Sequence, residues 1–262
     1  MIGRLWVLTP PDPLGANMQI KDVALADGVA NVWLFAPKTA APAASGVILY
    51  MDAFAPRPAL FGMAERMAAM GHVVALPDLF YRQGAYGPFD AATAFVHDES
   101  RARLMGLMQA TTQDQSVRDT AALLDLLTAQ GASGPVAAVG YCMGGARALN
   151  AAAAYPARIK AVASLHGGGL ASDQPDSPHL KAASIKAQVY IANAGEDRSF
   201  GPEQSARLAQ ALREGGVDHM IENYPTCQHG WCVPDHAVYN ALGAARHWQR
   251  LESLMAESLT SG

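Results

Sequence analysis

The segment Val139-Gly140-Tyr141-Cys142-Met143-Gly144-Gly145 places one thiol among glycines, behind an apolar run and ahead of an alanine-rich stretch, Ala146 to Ala154. The pattern is that of a strand turning sharply into a helix. A nucleophile on such a turn needs small neighbours so that strand and helix can approach, and Gly140 and Gly144 supply them. The helix N-terminus that follows favours negative charge on the sulfur. A sulfur nucleophile needs a base, and the base needs an acid to orient it. On strand–turn–helix sites the three follow in the order nucleophile, acid, histidine. Asp197, in NAGEDRSF, lies 55 residues beyond Cys142, and His229, in YPTCQHGW, lies 32 beyond that. Each interval is enough for one helix and one strand. Glu196 competes with Asp197 for the acid's place and Asp235 is a weaker rival; the short side chain of Asp197 holds an imidazole more firmly.

The other thiols and imidazoles have plainer readings. Cys227 and Cys232 flank His229 with the spacing C-x-H-x-x-C, but no fourth ligand is evident, so they read as loop or core thiols and no metal is expected. Three cysteines do not make a disulfide scaffold. His72, His97, His219 and His247 read as surface or core residues. His166 ends a buried run and opens a glycine run, which places it at the border of a pocket, as structural support or as a substrate contact.

Elements that could carry these residues are legible as hydrophobic periods. Met18 to Leu25 and Val29 to Phe35 alternate apolar and polar residues and pair as an antiparallel hairpin around Asp27-Gly28. Val47 to Met51, His72 to Leu76, Val136 to Gly140, Ala161 to Leu165 and Gln188 to Ala192 are continuously apolar, as strands covered on both faces are. His219 to Tyr224 is the last strand. Helical stripes lie between them: Leu60, Met63, Met67 and Met70, then Val117, Ala121, Leu124 and Leu127. A final helix is expected from about His236 to Met255, with Tyr239, Leu242, Trp248, Leu251 and Met255 inward. Alternating strands and helices predict a doubly wound, mostly parallel α/β sheet in a single domain over 1–262, helices on both faces and the hairpin at its N-terminal end. Two segments break the alternation, Tyr81 to Thr112 and His166 to Ser184. Both follow strand C-termini, where open α/β sheets bind ligands, so both are candidate pocket walls. Thr39 to Ser45 reads as a short loop.

Composition narrows the partners. Half of the 262 residues are hydrophobic and 16% are charged, which excludes a disordered chain. The formal net charge is −4, so no basic surface is available for a phosphate backbone and nucleic acid is not expected as a partner. The apolar run Leu5 to Leu8 is too short for a signal segment, and no stretch reaches the length of a membrane span; the expectation is a soluble cytoplasmic protein without membrane association.

With its motifs in place the chain resembles the dienelactone hydrolase family of α/β-hydrolases over nearly its whole length. The likeness rests on the Cys142 motif, the PDLFYR segment from Pro77 to Arg82, and the terminal His229-Gly230. The resemblance implies a carboxylic ester or lactone hydrolase with a Cys–His–Asp triad that works through a thioester and takes no cofactor. Cys142 then stands as nucleophile, His229 as base and Asp197 as acid. It further implies a carboxylate that contacts the resting thiol, usually glutamate in the family and here the shorter Asp52. The oxyanion would be held by the N–H groups of Ala53 and Met143. The family's dienelactone-cleaving members grip a substrate carboxylate with two arginines. One matches Arg82, for which an ion pair with Asp78 is the alternative. At the other position, four residues after His229, stands Val233, so a different ester, neutral or larger, is expected. The partner is a small-molecule ester or lactone, and the resemblance leaves room for a homodimer. The elbow also resembles that of polyhydroxyalkanoate synthases, which are much longer chains, so an acyltransferase with the same triad is one alternative; a non-catalytic binding protein on this fold is the other.

Overall fold

Period-two alternation puts one face of the first two strands on the core. In the computed structural model, which describes residues 17–38 and 45–259, β1 (Asn17–Leu25) and β2 (Gly28–Ala36) form the antiparallel hairpin, with Leu25 opposite Gly28. Ala30, Val32 and Leu34 point inward, while Val29 and Ile20 are exposed on the other side. The N-terminal run Leu5 to Leu8 and most of the Thr39 to Ser45 loop lie outside the described residues.

The continuously apolar runs become β3 (Gly46–Tyr50), β4 (Val73–Pro77), β5 (Val136–Tyr141), β6 (Ile159–Leu165), β7 (Gln188–Glu196) and β8 (His219–Gln228). Every residue of β3, β4 and β5 is buried. The sheet order is β1-β2-β4-β3-β5-β6-β7-β8, with β2 antiparallel to β1 and β4 and the remaining pairs parallel. Parallel strands need covering on both faces. On one face lie α1 (Pro58–Ala69) and α6 (Ala241–Ser258), joined where Arg66 sits over the Trp248 ring. On the other lie α3 (Gln113–Ala129) and α4 (Met143–Ala154), joined by Arg147 Nε donating to Ser116 Oγ, followed by α5 (Pro202–Glu214). Among the described residues, no helix is long and apolar enough to cross a membrane.

The stripe Leu60, Met63 and Met67 packs inward as expected, with Met70 half-buried at the helix end. The stripe on α3 is corrected. Its buried face carries Ser116, Asp119, Thr120, Leu123, Leu124 and Leu127, while Ala121 is exposed and Val117 half-buried. Polar residues can take that face because they are paired: Thr120 donates to the Ser116 carbonyl and shares a 2.7 Å hydrogen bond with the Tyr50 hydroxyl. The start of α6 is corrected as well. Asn240 caps it by accepting from the Gly243 N–H at 2.9 Å, so the helix begins five residues later than the period suggested. Tyr239 and Leu242 therefore face outward, and Trp248, Leu251 and Met255 face the core.

Both irregular segments are partly helical. Tyr81 to Thr112 contains α2 (Asp98–Ala110), and His166 to Ser184 ends in a 3₁₀ helix over Pro178–Ser184. Both still wall the same cleft at the C-terminal edge of the parallel strands.

Candidate active site

Parallel register sets what can meet at that edge. Tyr50 pairs with Gly140, Tyr141 with Leu165, Leu165 with Ala192, and Glu196 with Gln228. The next residues along each strand are therefore neighbours in space: the loop bearing Asp52 and Ala53 beside Cys142, His166 beside Cys142, and Asp197 beside His229.

Cys142 sits between β5 and α4 with φ 53° and ψ −119°, a left-handed backbone that non-glycine residues seldom adopt. Glycine neighbours are a steric requirement of this turn. A Cβ on Gly140 would lie 2.0 Å from the Gly144 carbonyl oxygen, and one on Gly144 would lie 2.2 Å from that of Tyr50. The Cys142 N–H is held by the Leu165 carbonyl at 3.1 Å. Met143 opens α4, where first-turn N–H groups have no acceptor within the helix.

His229 donates from Nδ1 to Asp197 Oδ2 at 2.8 Å, and the Cys142 sulfur is near enough to its ring to act on the ring's charge. The proton on Nδ1 is assigned from the carboxylate it faces, which leaves Nε2 for the thiol. Asp197 is fixed from its other oxygen, where Ser199 donates through its N–H at 2.8 Å and its hydroxyl at 2.6 Å. Burial works against charge on both residues of the pair. It is outweighed: the charge on Cys142 and the Asp197 hydrogen bond push His229 up to about 10, and His229 and Ser199 hold Asp197 below its ordinary value. Glu196 instead accepts from the Gln228 side chain, and Asp235 accepts from Arg57. Ser199 carries no signal of its own in the sequence beyond standing two residues past an acid.

Asp52 is brought near the site but not onto the thiol. It is fully buried and accepts from Arg57 Nη1 at 2.7 Å, Arg57 Nη2 at 2.9 Å, the Phe54 N–H at 3.0 Å and His236 Nε2 at 3.2 Å. Its short side chain is spent on a clamp between two loops, which corrects the expected thiol contact. Burial alone would raise Asp52; His236 and Arg57 together hold it below its ordinary value. Arg57 also grips Asp235, so the β3 loop bearing Ala53 and the β8 loop bearing His229 are tied together. His236 was expected to open the last helix; it lies instead in the His229 loop, packed on Gly230, where a Cβ would lie 2.2 Å from its Nδ1.

His166 does not border the cleft, which corrects that expectation. It is 1% exposed and packs beneath His229, with ring centroids 4.9 Å apart. Burial, reinforced by the neighbouring imidazoles of His229, His236 and His247, holds it far below its ordinary value, so it is a neutral ring.

Arg82 is corrected too. Its guanidinium donates to both oxygens of buried Asp119, at 2.8 and 2.9 Å, and to Asp27 at 2.8 Å, with no part in the cleft lining. The ion pair suggested with Asp78 is not formed; Asp78 accepts from Tyr86 and the Phe80 N–H. Val233 is fully buried. A cation missed in the sequence, Arg147, lines the cleft one helical turn after the elbow. It donates to the carbonyls of Met143 at 2.8 Å and Thr111 at 2.5 Å.

Cys227 and Cys232 are buried free thiols, and among the described residues no group of three or more His, Cys, Asp or Glu side chains could hold a metal ion.

The sequence model of the dienelactone hydrolase family matches residues 31–259, nearly all of the chain. The chain belongs to the dienelactone hydrolase family. It is therefore a hydrolase built on the α/β-hydrolase fold. A carboxymethylenebutenolidase of Rhodococcus opacus is 27% identical over 221 residues, covering 82% of each chain. A Synechocystis protein provisionally given the same name is 27% identical over 223 residues, 81% of this chain and 86% of its own. Among solved structures, a Klebsiella pneumoniae chain provisionally named a dienelactone hydrolase superposes with a TM-score of 0.80 at 21% identity, covering 92% of this chain and 99% of that one. At that identity the superposition speaks for the fold, and the family match carries the rest.

Proposed function

We propose that this dienelactone hydrolase family member hydrolyses a carboxylic ester or lactone through a thioester on Cys142. The observation that carries the proposal is the chain of contacts from Asp197 Oδ2 through the His229 ring to the Cys142 sulfur. His229 holds on Nε2 the proton it shares with the Cys142 sulfur, and the sulfur attacks the ester carbonyl carbon. The oxygen of that carbonyl becomes an oxyanion between the N–H groups of Met143 and Ala53, donors each worth about 3–4 kcal/mol of barrier. The C–O bond then breaks, and the alcohol leaves with the proton that His229 held. A water molecule gives a proton to His229 and its hydroxide to the thioester carbon; the C–S bond breaks, the acid departs, and the sulfur again shares the proton that His229 holds. Asp197 keeps the ring in the tautomer that presents Nε2 and stabilises it while charged. Asp52 acts on this cycle through the clamp.

The test is turnover of p-nitrophenyl acetate with intact-mass detection of the acyl-enzyme. Cys142→Ala is expected to lose both turnover and adduct. Retained turnover in that variant overturns the mechanism. An acyltransferase would form the same adduct but pass it to an added hydroxyacyl acceptor rather than to water, so product analysis separates the two.

A further inference from the structure

The cleft at Cys142 has a volume of about 1720 Å³, far more than an acetyl group needs. One of its walls is apolar without being core. Phe95 and Met105 line it and are each 42% exposed, large apolar side chains standing in solvent in the cleft that Cys142 also lines. They come from α2 and the turn before it. That helix buries only Leu104 and Leu107, and Leu104 belongs with Phe54 and Ala94 to a small cluster separate from the main core. The wall is continuous with the reaction centre through Phe54, which follows Ala53 and meets Phe95 edge-on at 5.3 Å and His236 at 5.1 Å. Met108 extends it along α2.

The cations beside this wall are paired: the lining residue Arg101 with Asp98, and Arg57, whose guanidinium lies over the Phe54 ring, with Asp52 and Asp235. Arg147 gives hydrogen bonds to two main-chain carbonyls and to Ser116. Arg82 is held outside the cleft by Asp119. Glu196 ends β7, Arg198 comes from the loop after it, and Asp176 from the loop after β6.

We propose that Phe54, Phe95, Met105 and Met108 form the subsite for a large, uncharged apolar group of the substrate, a medium-length alkyl or an aryl group joined to the scissile carbonyl. The proposal rests on the hydrolase reading for its chemistry. Burying methylene groups against such a wall is favourable in proportion to the area removed from water. The side chains exposed in the cleft are then those the substrate covers.

Two series of probes test it. The first compares p-nitrophenyl acetate with p-nitrophenyl octanoate. The expected kcat/KM is about tenfold or more higher for octanoate. In Phe95→Ser and Met105→Ser the octanoate-to-acetate ratio falls severalfold, through KM. Both positions are half in solvent, and an unchanged urea midpoint shows the fold intact. The second series needs no hydrolysis: N-ethyl-, N-octyl- and N-(5-carboxypentyl)maleimide, with the adduct at Cys142 read by mass. The octyl reagent is expected to label fastest at limiting concentration, and Phe95→Ser to remove the advantage. Equal rates for ethyl and octyl, a carboxylate reagent as fast as octyl, or a ratio that the serine variants leave unmoved would each overturn the subsite. Absence of ester turnover with octyl-selective labelling intact would sink the hydrolase reading and leave the subsite standing.

Discussion

Asp52 is bound by Arg57 through two parallel hydrogen bonds, Nη1 to Oδ1 at 2.7 Å and Nη2 to Oδ2 at 2.9 Å, with the carboxylate fully out of solvent. The same guanidinium holds Asp235 through Nε at 2.6 Å and Nη2 at 2.9 Å. One cation thus joins the loop that would supply an oxyanion donor to the loop that carries His229. Breaking a buried pair by removing one partner strands the other charge, at a cost of about 3–5 kcal/mol. Arg57→Met is expected to lose that much stability by urea titration. An unchanged midpoint would mean that Asp52 does not depend on Arg57.

The acid of the proposed triad can be told from its neighbour by paired variants. Asp197→Asn is expected to lower kcat/KM for an activated ester by about 10²–10⁴, the usual worth of an oriented general base. Glu196→Gln, whose carboxylate accepts from the Gln228 side chain, should have a far smaller effect. If the two variants exchanged these phenotypes, Glu196 would be the acid.

Acid should weaken the fold well above the carboxylate range. Burial pulls His247 down to about 3 from an ordinary 6.5 and pulls His166 down in the same direction. Their folded values lie below their unfolded ones, so the unfolded chain binds more protons. The stability they contribute is complete above 6.5 and is lost as pH falls from there toward 3. Each can contribute up to about 1.4 kcal/mol per pH unit inside its window. His229 acts at the other end: its value is raised to about 10, so its contribution is full below 6.5 and is lost as pH rises through 10. Asp52 and Asp197 are held below 3.8, and their contributions disappear only under that value. Urea midpoints measured between pH 7 and pH 4 should therefore decline. A flat profile would place water or another partner on the His166 and His247 rings.

Arg82 belongs to stability. Its fork closes on Asp119, which is fully buried, so Arg82→Met should cost about 3–5 kcal/mol. The variant's preference between neutral and carboxylated esters should equal that of the parent chain. A selective loss of carboxylated substrates would return Arg82 to the cleft.

Much of the site was written in short-range sequence. The glycines around Cys142 mark the elbow because only a missing Cβ lets α4 approach β3 and β5, a steric rule that reads locally. The order Cys142, Asp197, His229 followed from chain topology, since each residue ends one strand of a parallel sheet. The continuous runs of β3, β4 and β5 announced burial on both faces. Other roles were decided only through space. Arg82 found Asp119 and Asp27 instead of a substrate, and Asp52 found Arg57 and His236 instead of a thiol, because a charge pairs with whatever folding brings within about 3 Å, and no local period encodes that meeting. His166 faces the back of His229, and Phe95 and Met105 face the cleft, for the same reason: strand and helix periods set which residues share a side, while the packing of whole elements sets what that side looks upon.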